Sequence, residues 1–334
     1  MRSVMALSFC DVRLSENGHP DNMALGKFFS FRRKRCSLPP ALALPLSLEM
    51  ERPGRPFRIG VFSHIYYPEL IAELTVFGAH LGTQAEYHFT TDTAEKAELI
   101  KSSGLYAPAC RTSIQVAPNR GRDIAPRLSS LRQHGQDLDI VLMIHTKTSP
   151  HDHRLSDWRH FLLLHLLGSA QIVQDILLLF HLAPDLGMVA ARHHETLQPG
   201  IGWGQNEAWA RELALRMGIN LRLDAPIDFP SGSMFWARPA ALRPLLQAGF
   251  DTEDFEEESG QLDGTLAHAF ERMFYLSCEQ SGFSWLNIAL PALFENRDNI
   301  HTARSVEDIR RLLRHDLLQK CTGEQGRTDE TRSK

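Results

Sequence analysis

Short apolar runs alternate with helically spaced segments from residue 57 onward, and this alternation limits the fold more than any other feature. Ala85–Thr91 and Leu186–Ala191 have the length of buried strands, whereas Pro68–Leu81 carries apolar residues at helical spacing. The apolar run Leu138–Ile144 is typical of a central strand that is covered on both faces. The repeated strand–helix order predicts an α/β fold with a mostly parallel sheet and flanking helices.

The same patterns locate the remaining elements. Further strands are expected at Phe57–Ser63, Ser113–Ala117 and around Met234–Ala237, and further helices at Thr93–Ser102, after Asp123, and at Ser156–Leu167, Ser169–His181, Asn206–Met217 and Gln261–Gln280. Ligands of such a sheet bind outside the carboxyl ends of the strands, so the residues that follow each strand are the first candidates for a site.

The pattern divides the chain into three parts. Residues 1–55 show no sustained period and contain a proline-broken run, so a folded element is not expected there. They are interpreted as a disordered leader or as a misassigned start, because Met50 comes just before the first clear strand. Residues 56–300 are expected to form the α/β domain, and residues 301–334 a helical and then disordered tail.

Charge and cysteine content exclude several classes of protein. The formal net charge is −4, and residues 57–334 hold 35 acidic against 27 basic residues, which argues against a nucleic-acid partner. The five cysteines include no CxxC pair and are expected to be reduced thiols of a cytoplasmic protein. The longest apolar stretch, residues 161–182, contains a charged residue, so no transmembrane segment is expected.

The segment from Asn119 to Asp123 follows a predicted strand and precedes a helix. Arg120 and Arg122 flank Gly121, so guanidinium groups and free backbone N–H groups would face an anion such as a diphosphate. In the alternative interpretation, Asp123 caps the helix and both arginines face water.

The central strand is followed by His145, Thr146 and Lys147. Many nucleotide-sugar transferases of the GT-A type have an Asp-x-Asp at this place, where two carboxylates hold a divalent ion against the donor diphosphate. Lys147 could neutralise the leaving diphosphate directly. Alternatively, His145 and Lys147 form ordinary hydrogen bonds in a loop at the end of the sheet.

Histidine-rich segments raise the question of a zinc site. His151 and His153 form one group, and His193, His194 and Glu195 form another. Neither group has the His-Glu-x-x-His spacing of a helical zinc site, so no metal-ligating residues are assigned.

A turn of small polar residues precedes the aromatic strand near residue 235. Gly232 would let a ligand approach the backbone, Ser231 adds a hydroxyl, and Trp236 could stack on a sugar ring. The alternative is that Trp236 belongs to the core.

An acidic segment leads into the long predicted helix. With the helix starting at Gln261, Asp263 shares a face with Ala267 and Phe270, so its carboxylate is expected to point inward. It would then be either a helix-terminal charge or a base in a cleft. Some of the glutamates at positions 256–258 are expected to be solvated.

Taken together and in order, these motifs resemble the rhamnan synthesis protein F family between about Arg58 and Phe294. The resemblance is carried by Asn119-Arg120-Gly121-Arg122-Asp123-Ile124-x-Pro126, Ile144-His145-Thr146-Lys147-x-Ser149, Trp158-Arg159, Leu167-Gly168-Ser169, Gly232-Ser233-Met234-Phe235-Trp236-x-Arg238-Pro239, Asp254-Phe255-Glu256, and Gly260-Gln261-x-Asp263-Gly264-Thr265-x-x-His268-Ala269-x-Glu271-Arg272.

The resemblance implies a GT-A-like, Rossmann-like glycosyltransferase of cell-surface polysaccharide or lipopolysaccharide O-antigen synthesis. It implies a nucleotide sugar such as dTDP-rhamnose as donor, a glycan or lipid-linked glycan as acceptor, and other glycosyltransferases as partners. The expected location is the cytoplasm, including the inner face of the membrane. Because Asp-x-Asp is absent, use of Mg²⁺ or Mn²⁺ stays open. The alternative from another class is a non-catalytic glycan-binding or scaffold protein of an assembly complex.

The residues then receive the following roles. Asp263 is assigned as the base that takes the acceptor proton, with Glu256 as its substitute. The donor-binding residues are Asp92, which is expected to contact nucleoside hydroxyls, and Asn119, Arg120, Arg122, Asp123, His145 and Lys147 around the diphosphate. The acceptor- or sugar-binding residues are Ser231, Gly232, Trp236 and His268.

Overall fold

In a computed structural model of the chain, the structure describes residues 39–47, 56–82, 85–105, 110–146 and 157–313. All of them belong to one unit, Ser37–Lys334. Within these residues the strands are β1 (Ala41–Ala43), β2 (Ile59–His64), β3 (Ala85–Thr91), β4 (Thr112–Val116), β5 (Ile140–His145), β6 (Leu186–Ala191), β7 (Phe235–Ala237), β8 (Ser284–Ala289) and β9 (Ile300–His301).

The helices that alternate with these strands are α1 (Ile71–Gly78), α2 (Ala94–Ser102), α3 (Ile124–His134), α4 (Trp158–Leu167), α5 (Ala170–Leu182), α6 (Glu207–Met217), α7 (Arg243–Leu246) and α8 (Leu266–Gln280). Residues 306–313 are also helical, and residues 314–334 lie outside the described part.

All of the described strands join one sheet in the order β4-β3-β2-β5-β7-β6-β8-β1-β9. Of these strands, only β7 runs antiparallel to its neighbours, β5 and β6. The prediction of an α/β fold with a mostly parallel sheet and flanking helices is therefore confirmed, and the architecture is compatible with a Rossmann-like fold. After β2 the chain builds β3 and β4 on one side and then crosses to β5 on the other, so the strand order reverses between β2 and β5.

Two hydrophobic cores cover the two faces of the sheet. Successive side chains of β5 alternate between them, since Leu142 belongs to the core with α1, α4 and α5, while Val141 and Met143 belong to the core with α3, α6 and α8. This double coverage is the reason why the sequence of β5 is apolar at every position up to Ile144.

The first strand corrects an expectation from the sequence. Residues 41–43, in the proline-broken run where no folded element was expected, pair in parallel with β8 and β9. Leu42 is fully buried, and the Leu46 amide donates to Asp175 Oδ2 at 2.7 Å. A three-residue strand has too short a pattern to be recognised locally, and its strand partners come from the far end of the chain. The expectation of disorder for residues 1–38 falls outside the described residues.

The start of the long helix is a second correction. Helix α8 begins at Leu266 instead of near Gln261, because Thr265 is its N-cap and accepts from the His268 amide at 3.4 Å. Gly264, with a φ of +81°, ends the preceding loop. Asp263 therefore lies in a loop, and the helical face on which it was expected does not include it.

Among the helices of the described residues, none alone is long and apolar enough to cross a membrane; the bent pair α4 and α5, with 65° between its members, meets the criterion by length and composition only.

Candidate functional site

The reversal of strand order brings the carboxyl ends of β2 and β5 side by side. His64 and His145 are paired in register as the last residues of these strands. Just beyond them, the Thr146 hydroxyl accepts from the backbone amides of Tyr66 at 2.9 Å and Tyr67 at 3.0 Å. The loop after β2 is thus fastened to the loop after β5, and the two tyrosine side chains lie half-buried at this edge.

A buried polar network lies beneath this edge. His145 Nε2 donates to the Gly232 carbonyl at 2.7 Å and lies 3.9 Å from Asp123 Oδ2. The Asp123 carboxylate binds Arg127 and the Ser233 hydroxyl, and the fully buried Arg127 also donates to the Ser233 carbonyl at 2.8 Å. Although Asp123 is the N-cap residue of α3, its side chain does not cap the helix and instead neutralises a buried guanidinium.

His64 is uncharged at neutral pH. Burial is the main reason why its pKa is lowered to about 4; the nearby Arg127 and His145 act in the same direction, and Asp123 opposes them. Its Nδ1 is 3.0 Å from the Thr90 hydroxyl. The imidazole therefore adds a hydrogen-bonding group, and no positive charge, to the edge of the sheet.

Arg120 faces the acidic segment at residues 253–257, which precedes α8. Its guanidinium donates to the Phe255 carbonyl at 2.9 Å and to Glu257 Oε1 at 2.5 Å. Gly121 is needed for this approach, because a Cβ at its position would lie 2.6 Å from a ring carbon of Phe255. The described contacts of Arg120 thus tie two loops together.

Arg122 occupies a different environment two residues later. It adopts a φ of +60° and donates through Nη1 to His268 Nε2. A guanidinium has no lone pair to offer, so the His268 ring is neutral, with its Nδ1 proton directed to the Thr265 hydroxyl at 2.7 Å. Arg122 Nε is buried without a hydrogen-bond partner among the described residues, although Glu258 Oε2 lies 3.4 Å away.

Asp92 lies at the carboxyl end of β3, next to the same edge. Its carboxylate forms a 2.6 Å ion pair with Lys96 Nζ, which in turn lies 4.0 Å from the centre of the Tyr66 ring. The three side chains form a partly buried charged and aromatic patch beside the carboxyl end of β2.

Asp263 is surrounded by hydrogen-bond donors. The Gln205 amide donates to its Oδ2 at 2.9 Å, the Asn206 side chain to Oδ1 at 2.6 Å, and Arg272 Nη2 is 3.3 Å from Oδ1. Burial acts to raise the pKa of this carboxyl, but these donors together outweigh burial and hold the pKa below its usual value. A carboxylate of low pKa is a weak general base, which argues against Asp263 as the base. The assignment of Asp263 as the base stays a prediction.

The substitute base, Glu256, binds the beginning of α8. Both of its carboxylate oxygens accept from the Leu266 amide, at 3.2 and 3.1 Å. A negative charge at a helix N-terminus is stabilising, and these contacts give Glu256 a structural role.

The turn before β7 has a tightly constrained backbone. The Gly232 amide donates to Glu271 Oε1 at 2.6 Å, and a Cβ at Gly232 would lie 2.7 Å from Leu162 and 2.9 Å from Trp158. Its φ of +81° also favours glycine. The neighbouring Ser231 hydroxyl is buried and finds no hydrogen-bond partner in the described part of the chain.

Trp236 is a core residue. It is fully buried at the centre of the sheet and donates from Nε1 to the Leu166 carbonyl at 3.1 Å. Since no face of the indole is open, its assignment as a sugar-stacking residue is corrected in favour of the core alternative.

The remaining predicted residues are distributed as follows. The backbone carbonyl of Asn119 accepts from the Glu258 amide at 3.1 Å. Lys147 and the His151/His153 pair lie outside the described residues. Within the described part of the chain, no group of three or more His, Cys, Asp or Glu side chains is arranged to hold a metal ion.

Three polar residues of the edge were not among the candidates. His64 ends β2 as His145 ends β5, and that shared position was a recognisable signal. Arg127 follows Asp123 by four residues, the spacing of an ion pair on a helix. Glu271 accepts a hydrogen bond from the Gly232 amide, which lies 39 positions earlier, and no local sequence pattern predicts such a contact.

Comparisons with known proteins identify relatives and a family of this chain. The chain is similar to a protein named "Uncharacterized protein WxcX" in two strains of Xanthomonas campestris pv. campestris, one of them B100, with 37% identity over 227 residues in both. The alignment covers 66% of this chain and 31% of each relative, so the chain spans about a third of the length of the curated relatives it matches. A family model described as rhamnan synthesis protein F matches residues 45–282, well over half of the chain. The chain therefore belongs to the rhamnan synthesis protein F family.

Proposed function

We propose that the chain is a nucleotide-sugar-dependent glycosyltransferase, in particular a rhamnosyltransferase, that acts in the synthesis of cell-surface polysaccharide or lipopolysaccharide O-antigen. Family membership supports the process, rhamnan polysaccharide synthesis. The observation that carries the reaction type is the reversal of strand order between β2 and β5, with polar and aromatic residues lining it. Nucleotide ligands of open α/β sheets bind at such a crevice.

The nucleoside of the donor is assigned to the patch beside β2. Tyr66 offers an aromatic face, and Asp92 offers a carboxylate that can accept from ribose or deoxyribose hydroxyls. Lys96 already holds Asp92 in position at 2.6 Å, so the carboxylate is oriented before the donor arrives.

The diphosphate is assigned to Arg122 and Lys147. Arg122 is preferred over Arg120, because its buried Nε still lacks a hydrogen-bond partner among the described residues. Lys147 follows β5 and supplies the second cation in this proposal. As the bond between sugar and diphosphate breaks, negative charge develops on the leaving oxygen, and fixed cations stabilise it.

The acceptor is a glycan or lipid-linked glycan, assigned to the side of the turn at residues 228–233. The proposal places the reaction at the cytoplasmic side of the membrane and with other glycosyltransferases as neighbours.

The decisive experiment measures donor turnover. Purified protein is incubated with a panel of nucleotide sugars that includes dTDP-rhamnose, with and without glycan acceptors, in EDTA and in Mg²⁺ or Mn²⁺. We expect release of nucleoside diphosphate from one donor and an acceptor product heavier by one sugar. Heat treatment of the same sample provides the blank.

A different result would favour the non-catalytic alternative. If no donor stabilises the protein against heat or loses its nucleotide, while a polysaccharide binds to the protein, the chain is a glycan-binding or scaffold protein. Metal dependence follows from the comparison of EDTA with the two metals in the same assay.

A further inference from the structure

A histidine–aspartate pair lies at the carboxyl end of β6 and has no role in the site described above. His193 follows β6 by two residues and is 2% exposed. Its Nε2 is 2.8 Å from Asp228 Oδ1, and Asp228 begins the turn at residues 228–233. In the sheet, β6 and β5 lie on opposite sides of β7, so this pair belongs to a different strand end from His145.

The surroundings of Asp228 determine which nitrogen of His193 carries the proton. The Phe229 amide donates to Asp228 Oδ1 at 2.7 Å, and the Asn287 side chain donates to Oδ2 at 3.0 Å. The Tyr275 hydroxyl in turn donates to Asn287 Oδ1 at 2.7 Å, which fixes the orientation of that amide. A carboxylate with this environment only accepts, so His193 Nε2 is the donor and, in the neutral ring, Nδ1 holds the lone pair.

That lone pair faces no hydrogen-bond partner among the described residues. His193 Nδ1 is buried and unbonded there, and so are the Ser231 hydroxyl and Trp158 Nε1. All three border the same turn: the His193 ring is 5.5 Å from the Phe229 ring, and Trp158 lies against Gly232. Leaving a buried polar atom unpaired destabilises the folded protein. Three such atoms around one turn point to a polar ligand with hydroxyl groups.

We propose that His193 is the general base of the transfer reaction and that Asp228 is its positioning residue. This inference rests on the proposed glycosyltransferase function. The acceptor hydroxyl oxygen forms a bond to the anomeric carbon of the donor sugar, and the bond from that carbon to the diphosphate oxygen breaks. The nucleoside diphosphate leaves with the electron pair, and the hydroxyl proton moves to His193 Nδ1.

Asp228 is suited to stabilise the resulting imidazolium. The carboxylate lies on the far side of the ring from the reacting nitrogen, at 2.8 Å from Nε2, so positive charge that develops on the ring meets a fixed negative charge. Asp263 has the opposite character, because its own donors stabilise the ionised form and reduce its basicity.

The test compares His193→Gln with the matched variant His194→Gln. The amide of the introduced glutamine can still donate to Asp228, but it has no basic nitrogen. His194 is the neighbouring residue and packs edge-on against Phe161, 4.9 Å between ring centres. We expect H193Q to lower kcat for transfer by about 10²-fold or more, with donor KM and thermal midpoint near those of the wild type. H194Q should retain wild-type kcat.

A rescue measurement separates chemistry from structure. In His193→Gly, added imidazole should restore transfer in a concentration-dependent manner, which a purely structural histidine would not allow. If H193Q does not fold, Asp228→Asn decides, because its amide can donate to Nε2 and leaves the proton on Nδ1; kcat should fall while donor affinity persists.

The outcomes distinguish the two proposals. If the wild-type protein turns over no nucleotide sugar, the proposed function fails, and the base assignment fails with it. If the wild type transfers sugar but folded H193Q is as active as H194Q, or imidazole has no effect on H193G, the proposed function stands and His193 is not the base.

Discussion

At the scale of single residues, the arginines of one short loop show how position decides chemistry. Arg120 and Arg122 are two residues apart and equally basic. The Arg120 guanidinium is engaged with a carbonyl and a carboxylate of the 253–257 segment. Arg122 donates to His268 through Nη1 and lies near Glu258, but its buried Nε is hydrogen-bonded by no described residue. A ligand anion gains most from donors that are not already satisfied, because no internal bond must be broken to bind it.

Arg122→Ala is therefore expected to weaken donor binding. A guanidinium fork matches phosphate oxygens and alanine cannot replace it. We expect nucleotide-sugar affinity, measured by calorimetry, to fall about tenfold, equivalent to roughly 1.4 kcal/mol. Arg132→Ala serves as the control. Arg132 lies at the C-terminal end of α3, away from Arg122, and donates to the Phe250 carbonyl. Equal donor affinity in the wild type and folded R122A would remove Arg122 from the site.

Asp263→Asn tests whether that carboxylate is structural. Asn keeps the size of the side chain, but its NH₂ group would face one of the donors that now bind the carboxylate, and it has no charge to pair with Arg272. We expect the free energy of unfolding, measured with urea, to fall by about 1–3 kcal/mol. A hundredfold loss of transfer with unchanged stability would instead restore Asp263 as the base.

The candidate site was only partly predictable from the sequence. The residues after β3, β4 and β5 were among the candidates, because a parallel sheet collects the carboxyl ends of its strands at one edge. The hydrogen bonds of Asp263 with Gln205 and Asn206 and the contact of His193 with Asp228 could not be predicted, since they join residues 58, 57 and 35 positions apart. The conformation of a loop and the direction of its side chains depend on the whole fold, so the local spacing of apolar residues does not predict them.

At the scale of secondary-structure elements, prediction succeeded where a local signal was strong. Helices were expected from Thr93 and from Ser169, and these two residues cap α2 and α5 through their hydroxyls. The predicted start of α8 was wrong, because apolar spacing indicated a helix from Gln261 whereas Thr265 caps the helix and α8 begins at Leu266. Strand β1 was missed because it is only three residues long. These differences arise because periodicity needs several residues to be visible, whereas a cap or a short strand depends on single contacts.

The role of β1 leads to a prediction about truncation. A chain that begins at Met50 lacks β1 and with it the buried side chains of Leu42 and Leu44 and the bond from Leu46 to Asp175. Burial of each leucine is worth about 1.5–3 kcal/mol, so we expect a marked fall of the thermal midpoint or insoluble protein. A chain beginning at Ser37 retains β1 and is the control. A Met50 chain as stable as the Ser37 chain would show that β1 is dispensable.

At the scale of the whole molecule, the same sheet that presents the site buries ionisable groups. His64, His88 and His165 are each less than 5% exposed, and burial lowers the pKa of each to about 4. His165 has a fixed tautomer, because its Nδ1 donates to the Phe161 carbonyl at 2.8 Å and its Nε2 accepts from the Leu290 amide at 3.0 Å. Protonation would remove that acceptor.

Stability is consequently expected to decrease in mild acid. In the unfolded chain these histidines bind protons near their ordinary pKa of 6.5, whereas in the folded protein they stay neutral down to about pH 4. The unfolded state therefore binds more protons between these values, and the free energy of unfolding falls as the pH is lowered through that window. At pH 5 the loss is about 2 kcal/mol for each histidine.

Urea unfolding at pH 7 and pH 5 measures the sum of the three losses, and His165→Gln should reduce the pH dependence by about a third. A free energy of unfolding that is constant from about pH 6.5 to about pH 4.5 would show that the three imidazoles accept protons in the folded protein as readily as in the unfolded chain.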